Sequence, residues 1–107
     1  MRQRPVLRIG AYFSVTGAGA LTAIPEAHDG FMFVINKINN ESIGAYSIQV
    51  SFCDDQFSLA KAMACWRKFA VEDPVQIVVG GHTSFTVNAG NYFEPFGILN
   101  IQYAIRI

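Results

Sequence analysis

Two short stretches of the chain set hydroxyl groups and glycines where helices are expected to begin. The first is Ser14-Val15-Thr16-Gly17-Ala18-Gly19 and the second is Gly80-Gly81-His82-Thr83-Ser84. Glycine lets the backbone approach a bound molecule closely. Free N–H groups at a helix N-terminus hold an anion such as a carboxylate, and hydroxyls such as those of Ser14, Thr83 and Ser84 donate or accept hydrogen bonds. Each stretch also has a plainer reading. The first serves equally as a strand-to-helix connection, Ser84 equally as a helix cap, and His82 equally as a solvated loop side chain.

The same residues exclude several chemistries. No Lys-Ser/Thr pair follows the glycines, and the GxGxxG spacing of a dinucleotide site is missing. His82 and Ser84 are neighbours in sequence, but a nucleophilic triad is defined by geometry and not adjacency, and no G-x-S-x-G elbow occurs. The Asp54-Asp55 pair lacks further nearby oxygen ligands for a metal, so hydrogen bonding within its loop is the expected role. His28 has no ligating partner three or four residues on and is read as structural. Phe31, Phe33 and Trp66 fall at helical spacings and are expected in the core. No catalytic residue, metal site or cofactor is assigned.

These groups need a scaffold, and the residue pattern supplies one. Residues 6–13 form a short apolar run rich in β-branched and aromatic side chains, which reads as a strand. Pro25 suits the first turn of a helix, with Ala27, Phe31, Val34, Ile35 and Ile38 on one apolar face. Gly30, costly within a helix, implies close packing on a sheet. Asn39-Asn40 and Gly44 end that helix. Residues 47–53 alternate as a second strand, and Ser58 caps a second helix reaching about Val71. Its buried side is expected to include Leu59, Ala62, Met63, Trp66, Phe69 and Ala70. Residues 76–79 make a short buried strand. Thr83 or Ser84 would cap a third helix that Pro95 stops, and residues 97–103 form a fourth strand. The order β-α-β-α-β-α-β implies an α/β fold: a three-layer parallel sheet with right-handed crossovers and helices on both faces. In such sheets ligands bind at the carboxyl ends of the strands, here the loops beginning at Ser14, Asp54, Gly80 and Ala104.

Composition agrees. The 107 residues suffice for one small domain, 51% of them are hydrophobic and 15% charged. So apolar a chain implies elements buried on both faces, or that part of the covering structure is missing. Lys+Arg and Asp+Glu each total 8, with no basic face, which argues against a nucleic-acid partner. No apolar run is long enough to span a bilayer. The basic start Arg2-Gln3-Arg4 leads into residues read as a strand and interrupted by Arg8, so no secretory signal is read. Cys53 falls at the end of a strand and Cys65 within the following helix, so pairing is open but not indicated, and two buried free thiols are the simpler expectation.

Three stretches resemble the N-terminal lobe of the type I periplasmic binding fold, in its branched-chain amino acid and amide-binding branch. They are RIGAYFSVTGAGALTAIPEAHDGFMFVINKIN, FCDDQFSLAKAMACWRKF and VVGGHTSFTVNA, in the family's order and together spanning roughly positions 8 to 104. The resemblance implies that residues 1–107 are a partial N-terminal lobe with the second lobe absent. It implies the solute-binding component of an ABC importer for branched-chain amino acids or similar small amino acids, amides or organic acids. The partner would be an ABC permease and the location periplasmic or extracellular. Ser84 would bond the ligand's amino acid head group, with His82 and Thr83 on the same wall. Thr22 falls where the family often places an aromatic near the ligand side chain, and the backbone of Ala104 would face the head group. The chain departs from the family at Arg106, where a Ser or Thr is usual, and at Glu41-Ser42-Ile43-Gly44, where the family has Gly-Gly. Two alternatives follow from the residues: a cytoplasmic ligand sensor of the same fold, suggested by the missing signal, and a small flavodoxin-like enzyme, disfavoured by the loop spacings.

Overall fold

The computed structural model describes residues 4–17, 24–81 and 85–102. The strands are β1 (Val6–Phe13), β2 (Ser47–Asp54), β3 (Ile77–Gly80) and β4 (Leu99–Gln102), alternating with helices α1 (Ile24–Asn40), α2 (Leu59–Arg67) and α3 (Thr86–Phe93). A π-helical stretch, Lys68–Glu72, prolongs α2, and a 3-10 turn, Glu94–Phe96, prolongs α3. The strands form one sheet in the order β2-β1-β3-β4, and all neighbours are parallel. The expected α/β alternation and parallel sheet are present.

Side chains alternate across the strands, so the register assigns the two faces. Tyr12, Cys53 and Val78 point to the side that α2 and α3 cover, where they meet Trp66, Phe69 and Phe93. Ala11, Phe13, Val50 and Val79 point to the opposite side, where Ala27 and Phe31 of α1 pack. Helices therefore lie on both faces. This follows from handedness: a right-handed crossover from β1 to β2 and another from β2 back across β1 to β3 must pass on opposite faces. The larger cluster is rich in aromatic rings. Trp66 meets Tyr12 edge-on at 5.9 Å and Phe93 at 6.2 Å between ring centres. Each fully buried side chain of this size contributes about 1.5–3 kcal/mol.

Helix α1 differs from expectation in detail. Phe33 is 70% exposed and Val34 52%, and nothing lies within 4 Å of a Cβ built on Gly30. At about 100° per residue, the stripe Ala27, Phe31, Ile35 and Ile38 faces the sheet, Phe33 falls nearly opposite, and Gly30 and Val34 fall at its flanks. In α2, Leu59 and Met63 are likewise exposed, while Ala62, Trp66 and Phe69 are buried as expected. Ser58 caps α2, accepting from the Lys61 N–H at 3.4 Å. For α3 the cap position falls to Phe85, with no side-chain cap bond. Asn39 does more than end α1: its amide donates to the Ile48 carbonyl and accepts from the Ile48 N–H, both at 2.8 Å, closing part of the open edge of β2.

The cysteines correct the free-thiol expectation. Cys53 and Cys65 form a disulfide, with Cα atoms 5.8 Å apart. Cys53 sits opposite Tyr12 in the ladder, on the face that α2 crosses, and Cys65 lies on the buried side of that helix. The shared face brings them within the roughly 7 Å that a disulfide tolerates.

One quadrant of the sheet is bare. Leu99 and Ile101 align with Ile77 and Val79 on the α1 side, yet they are 59% and 48% exposed. β4 is also the edge of the sheet. Unpaired edges with apolar side chains template association. The double substitution Leu99→Lys, Ile101→Lys is therefore expected to lower the apparent mass at high concentration in light scattering, with helix and strand content by circular dichroism unchanged.

Candidate functional site

The strand order reverses between β1 and β3: β1 leads to β2 on one side, and β3 lies on the other. Such a switch point opens a crevice at the carboxyl ends of the two strands. The loops that leave those ends begin at Ser14 and Gly81, within the two stretches singled out by residue type.

The first loop is held from below by the turn after β2. Asp54 accepts from the N–H of Val15 at 3.0 Å and of Thr16 at 3.2 Å, from the Thr16 hydroxyl, and from the N–H of Gln56 at 3.0 Å. Burial works against the Asp54 charge, but the Thr16 hydroxyl and these backbone N–H groups outweigh it and hold the carboxyl below its ordinary value. Next to it, Asp55 is fully buried. It accepts from the Ser14 hydroxyl and from the N–H of Phe57, the latter at 2.9 Å. Its own N–H continues the ladder to the Phe13 carbonyl at 3.1 Å.

The turn itself is unusual. Gln56 and Phe57 both have left-handed backbones, with φ of 51° and 59°, a conformation costing a non-glycine residue of order 1 kcal/mol. Asp54 and Asp55 stabilise it by accepting the N–H two residues on, the Asx pattern. The Phe57 ring then meets Phe85, at the start of α3, edge-on at 6.0 Å. One turn thus touches both the loop after β1 and the first described residue beyond the loop after β3.

The second loop leaves over Tyr12. Gly80 and Gly81 have φ of 122° and 96°, where side chains are strained. A Cβ at Gly80 would lie 2.1 Å from the Tyr12 carbonyl oxygen, and one at Gly81 2.4 Å from the Tyr12 hydroxyl. The Gly81 N–H donates to the Tyr12 carbonyl at 2.9 Å, and the Gln102 amide donates to the Tyr12 hydroxyl at 3.4 Å. Burial pushes the phenol above its ordinary 10, with the nearby Asp55 charge adding to it and the Gln102 bond partly offsetting it.

Of the residues nominated from sequence, Ser14 is fully buried and its hydroxyl is engaged by Asp55; in this arrangement it anchors the loop. Thr22, His82, Thr83, Ser84 and Ala104 lie outside the described residues, as does Arg106. His28 packs its ring against Phe13 and Phe52, at 5.4 and 4.5 Å. Sequence reasoning missed Tyr12 as the floor beneath the glycines and the left-handed Gln56–Phe57 pair. The adjacent Asp54-Asp55 ahead of the Ser58 cap was the available signal for the turn. A separate groove of about 420 Å³ runs between α2 and α3, lined by Met63, Trp66, Asn88, Asn91 and Tyr92, and none of the strand-end residues lines it. No group of 3 or more His, Cys, Asp or Glu that could hold a metal ion occurs among the described residues.

Comparison with solved structures places the fold. The chain matches LivJ of Streptococcus pneumoniae str. Canada MDR_19A, a branched-chain amino acid transporter substrate-binding protein solved in complex with isoleucine. The match has a TM-score of 0.80 at 22% identity and covers 91% of this chain and 28% of that one. It also matches an ABC transporter substrate-binding protein from Desulfitobacterium hafniense, with a TM-score of 0.75 at 19% identity over 92% of this chain and 29% of that one. A third match is a possible leucine/isoleucine/valine-binding protein from Rhodopirellula baltica SH 1, with a TM-score of 0.75 at 16% identity over 89% and 26%. The architecture is that of the type I periplasmic binding fold, and the chain spans between a quarter and a third of the length of these structures. No family model and no curated protein matches the sequence.

The Asp54 carboxyl gives a pH test. Its pKa is lowered in the folded state, so the stability it contributes is complete above its unfolded value, 3.8. That contribution is lost as pH falls through the folded value. Asp54→Asn is expected to cost about 1–3 kcal/mol at pH 7, the worth of hydrogen bonds to a charged group. Urea denaturation from pH 7 to pH 2 should show the variant's deficit shrinking below pH ~4.

Proposed function

We propose that this chain is part of the first lobe of an extracytoplasmic solute-binding protein, the receptor component of an ABC importer. Its ligand would be a branched-chain amino acid or a similar small amino acid, amide or organic acid. The reading rests on one observation above all: two loops rich in glycine and hydroxyl groups leave the sheet on either side of its switch point. They do so within a fold that substrate-binding proteins of this kind share. Such a crevice suits the head group of an amino acid. The N–H groups and hydroxyls of the Gly80–Ser84 loop would hold the ligand carboxylate, with Ser84 as its principal hydroxyl and His82 and Thr83 beside it. Thr22 would lie near the ligand side chain, and the Ala104 backbone near the head group. Ser14 would act from beneath, by fixing the first loop.

The work asked of these residues is binding, not chemistry. The one carboxylate pair near the crevice, Asp54 and Asp55, is committed to loop hydrogen bonds. The disulfide supports an extracytoplasmic setting, because such bonds persist in oxidising compartments. It counts equally against the alternative of a cytoplasmic sensor. No described helix is long and apolar enough to cross a membrane.

A single wall buries little of a small ligand, so affinity should be weak, with Kd of about 1 mM or above. Titration of the chain with isoleucine, leucine and valine, followed by amide chemical shifts, should give saturable changes at the Gly80–Gly81 and Val15–Thr16 amides. Ser84→Ala should abolish them. Shifts absent for every amino acid, amide and organic acid tried would overturn the reading.

A further inference from the structure

The Cys53–Cys65 disulfide has a second relation to the strand ends besides joining β2 to α2. The bond closes residues 53–65 into a covalent ring. Inside that ring lie Asp54 and Asp55, the left-handed Gln56 and Phe57, and the Ser58 cap. Asp54 leaves the ring to hold the Val15 and Thr16 amides, Asp55 to hold Ser14, and Phe57 to pack on Phe85. These contacts, to the start of the loop after β1 and to the start of α3, therefore all begin at residues within the ring.

The turn has reason to relax if it is free to do so. Two successive non-glycine residues in the left-handed region are disfavoured relative to right-handed or extended backbone. A shift of the α2 N-terminus against β2 would let them escape. The disulfide ties that helix to the strand end on the buried side of α2, where Cys65 is fully enclosed. We propose that the Cys53–Cys65 bond is a positioning device: it keeps the Gln56–Phe57 turn in its left-handed form and so keeps residues 14–16 in place at the crevice. Its functional consequence rests on the solute-binding reading; the ordering itself does not. Opening the bond takes two electrons and two protons from a dithiol, which closes to its own cyclic disulfide as Cys53 and Cys65 become thiols. Residues 14–16 then lose their fixed support.

The test is amide hydrogen exchange on the whole chain, oxidised and after reduction with dithiothreitol. A bond that only stabilises the core would speed all slow amides together, through global opening. Positioning predicts that the Val15 and Thr16 amides accelerate by at least about tenfold more than those of Ala11 and Tyr12 in the same strand. A Cys53→Ser, Cys65→Ser variant should repeat the pattern without reductant. Gln56→Gly removes the left-handed penalty at one of the two positions. In the reduced chain it should restore much of the Val15 and Thr16 protection while the melting temperature stays at the reduced value. Uniform acceleration along β1, or no restoration by Gln56→Gly, would overturn the proposal. Because no ligand enters the experiment, its failure would leave the solute-binding reading standing, and failure of that reading would leave this one standing.

Discussion

Two adjacent carboxylates decide the shape of this molecule at the carboxyl ends of its central strands. Asp54 and Asp55 close β2, and each accepts hydrogen bonds both from its own turn and from the loop after β1. The N–H and hydroxyl donors around Asp54 hold its carboxyl below the ordinary value. Without these acceptors the Val15 and Thr16 amides would have no described side-chain partner, and the left-handed Gln56–Phe57 turn would lose the bonds that offset its strain. The turn leads into α2, whose Ala62, Cys65 and Trp66 belong to the aromatic cluster.

The rest of the architecture is a consequence of parallel strands and handedness. Crossovers in opposite directions from β1 place α1 on one face and α2 with α3 on the other, and the same reversal opens the crevice. Tyr12 stands at the centre, with its ring in the larger core, its carbonyl under Gly81 and its hydroxyl beside Gln102. The apolar row of Leu99 and Ile101 departs from the layer rule. All-parallel sheets normally have both faces covered. The chain spans 28% of the LivJ structure it matches.

The strand and helix order was legible because periodicity and turn residues agreed. β1 fell on the expected residues, Ser58 capped α2 and Pro95 entered the turn that ends α3. The finer readings depended on which face each helix would meet, and a single helix pattern does not settle that. Phe33 was assigned inward although it lies nearly opposite the sheet, and Gly30 although it falls at the flank of the buried stripe. The disulfide was missed for the same reason, since Cys53 and Cys65 meet only once α2 crosses the Tyr12 face. The loops of the crevice were legible as Gly-rich, hydroxyl-bearing segments at strand ends. Their support was not, because the bonds from Asp54 to Val15 and Thr16 join residues 38 and 39 positions apart and leave no local signature.

The claim most worth testing is that Asp54 and the first loop act as a unit. A double-mutant cycle between Asp54→Asn and Thr16→Val, read as unfolding free energy in urea at pH 7, measures their coupling directly. The account predicts a coupling of about 1 kcal/mol or more, as for residues sharing a hydrogen-bond network. Additive effects within about 0.3 kcal/mol, the behaviour of independent sites, would contradict it.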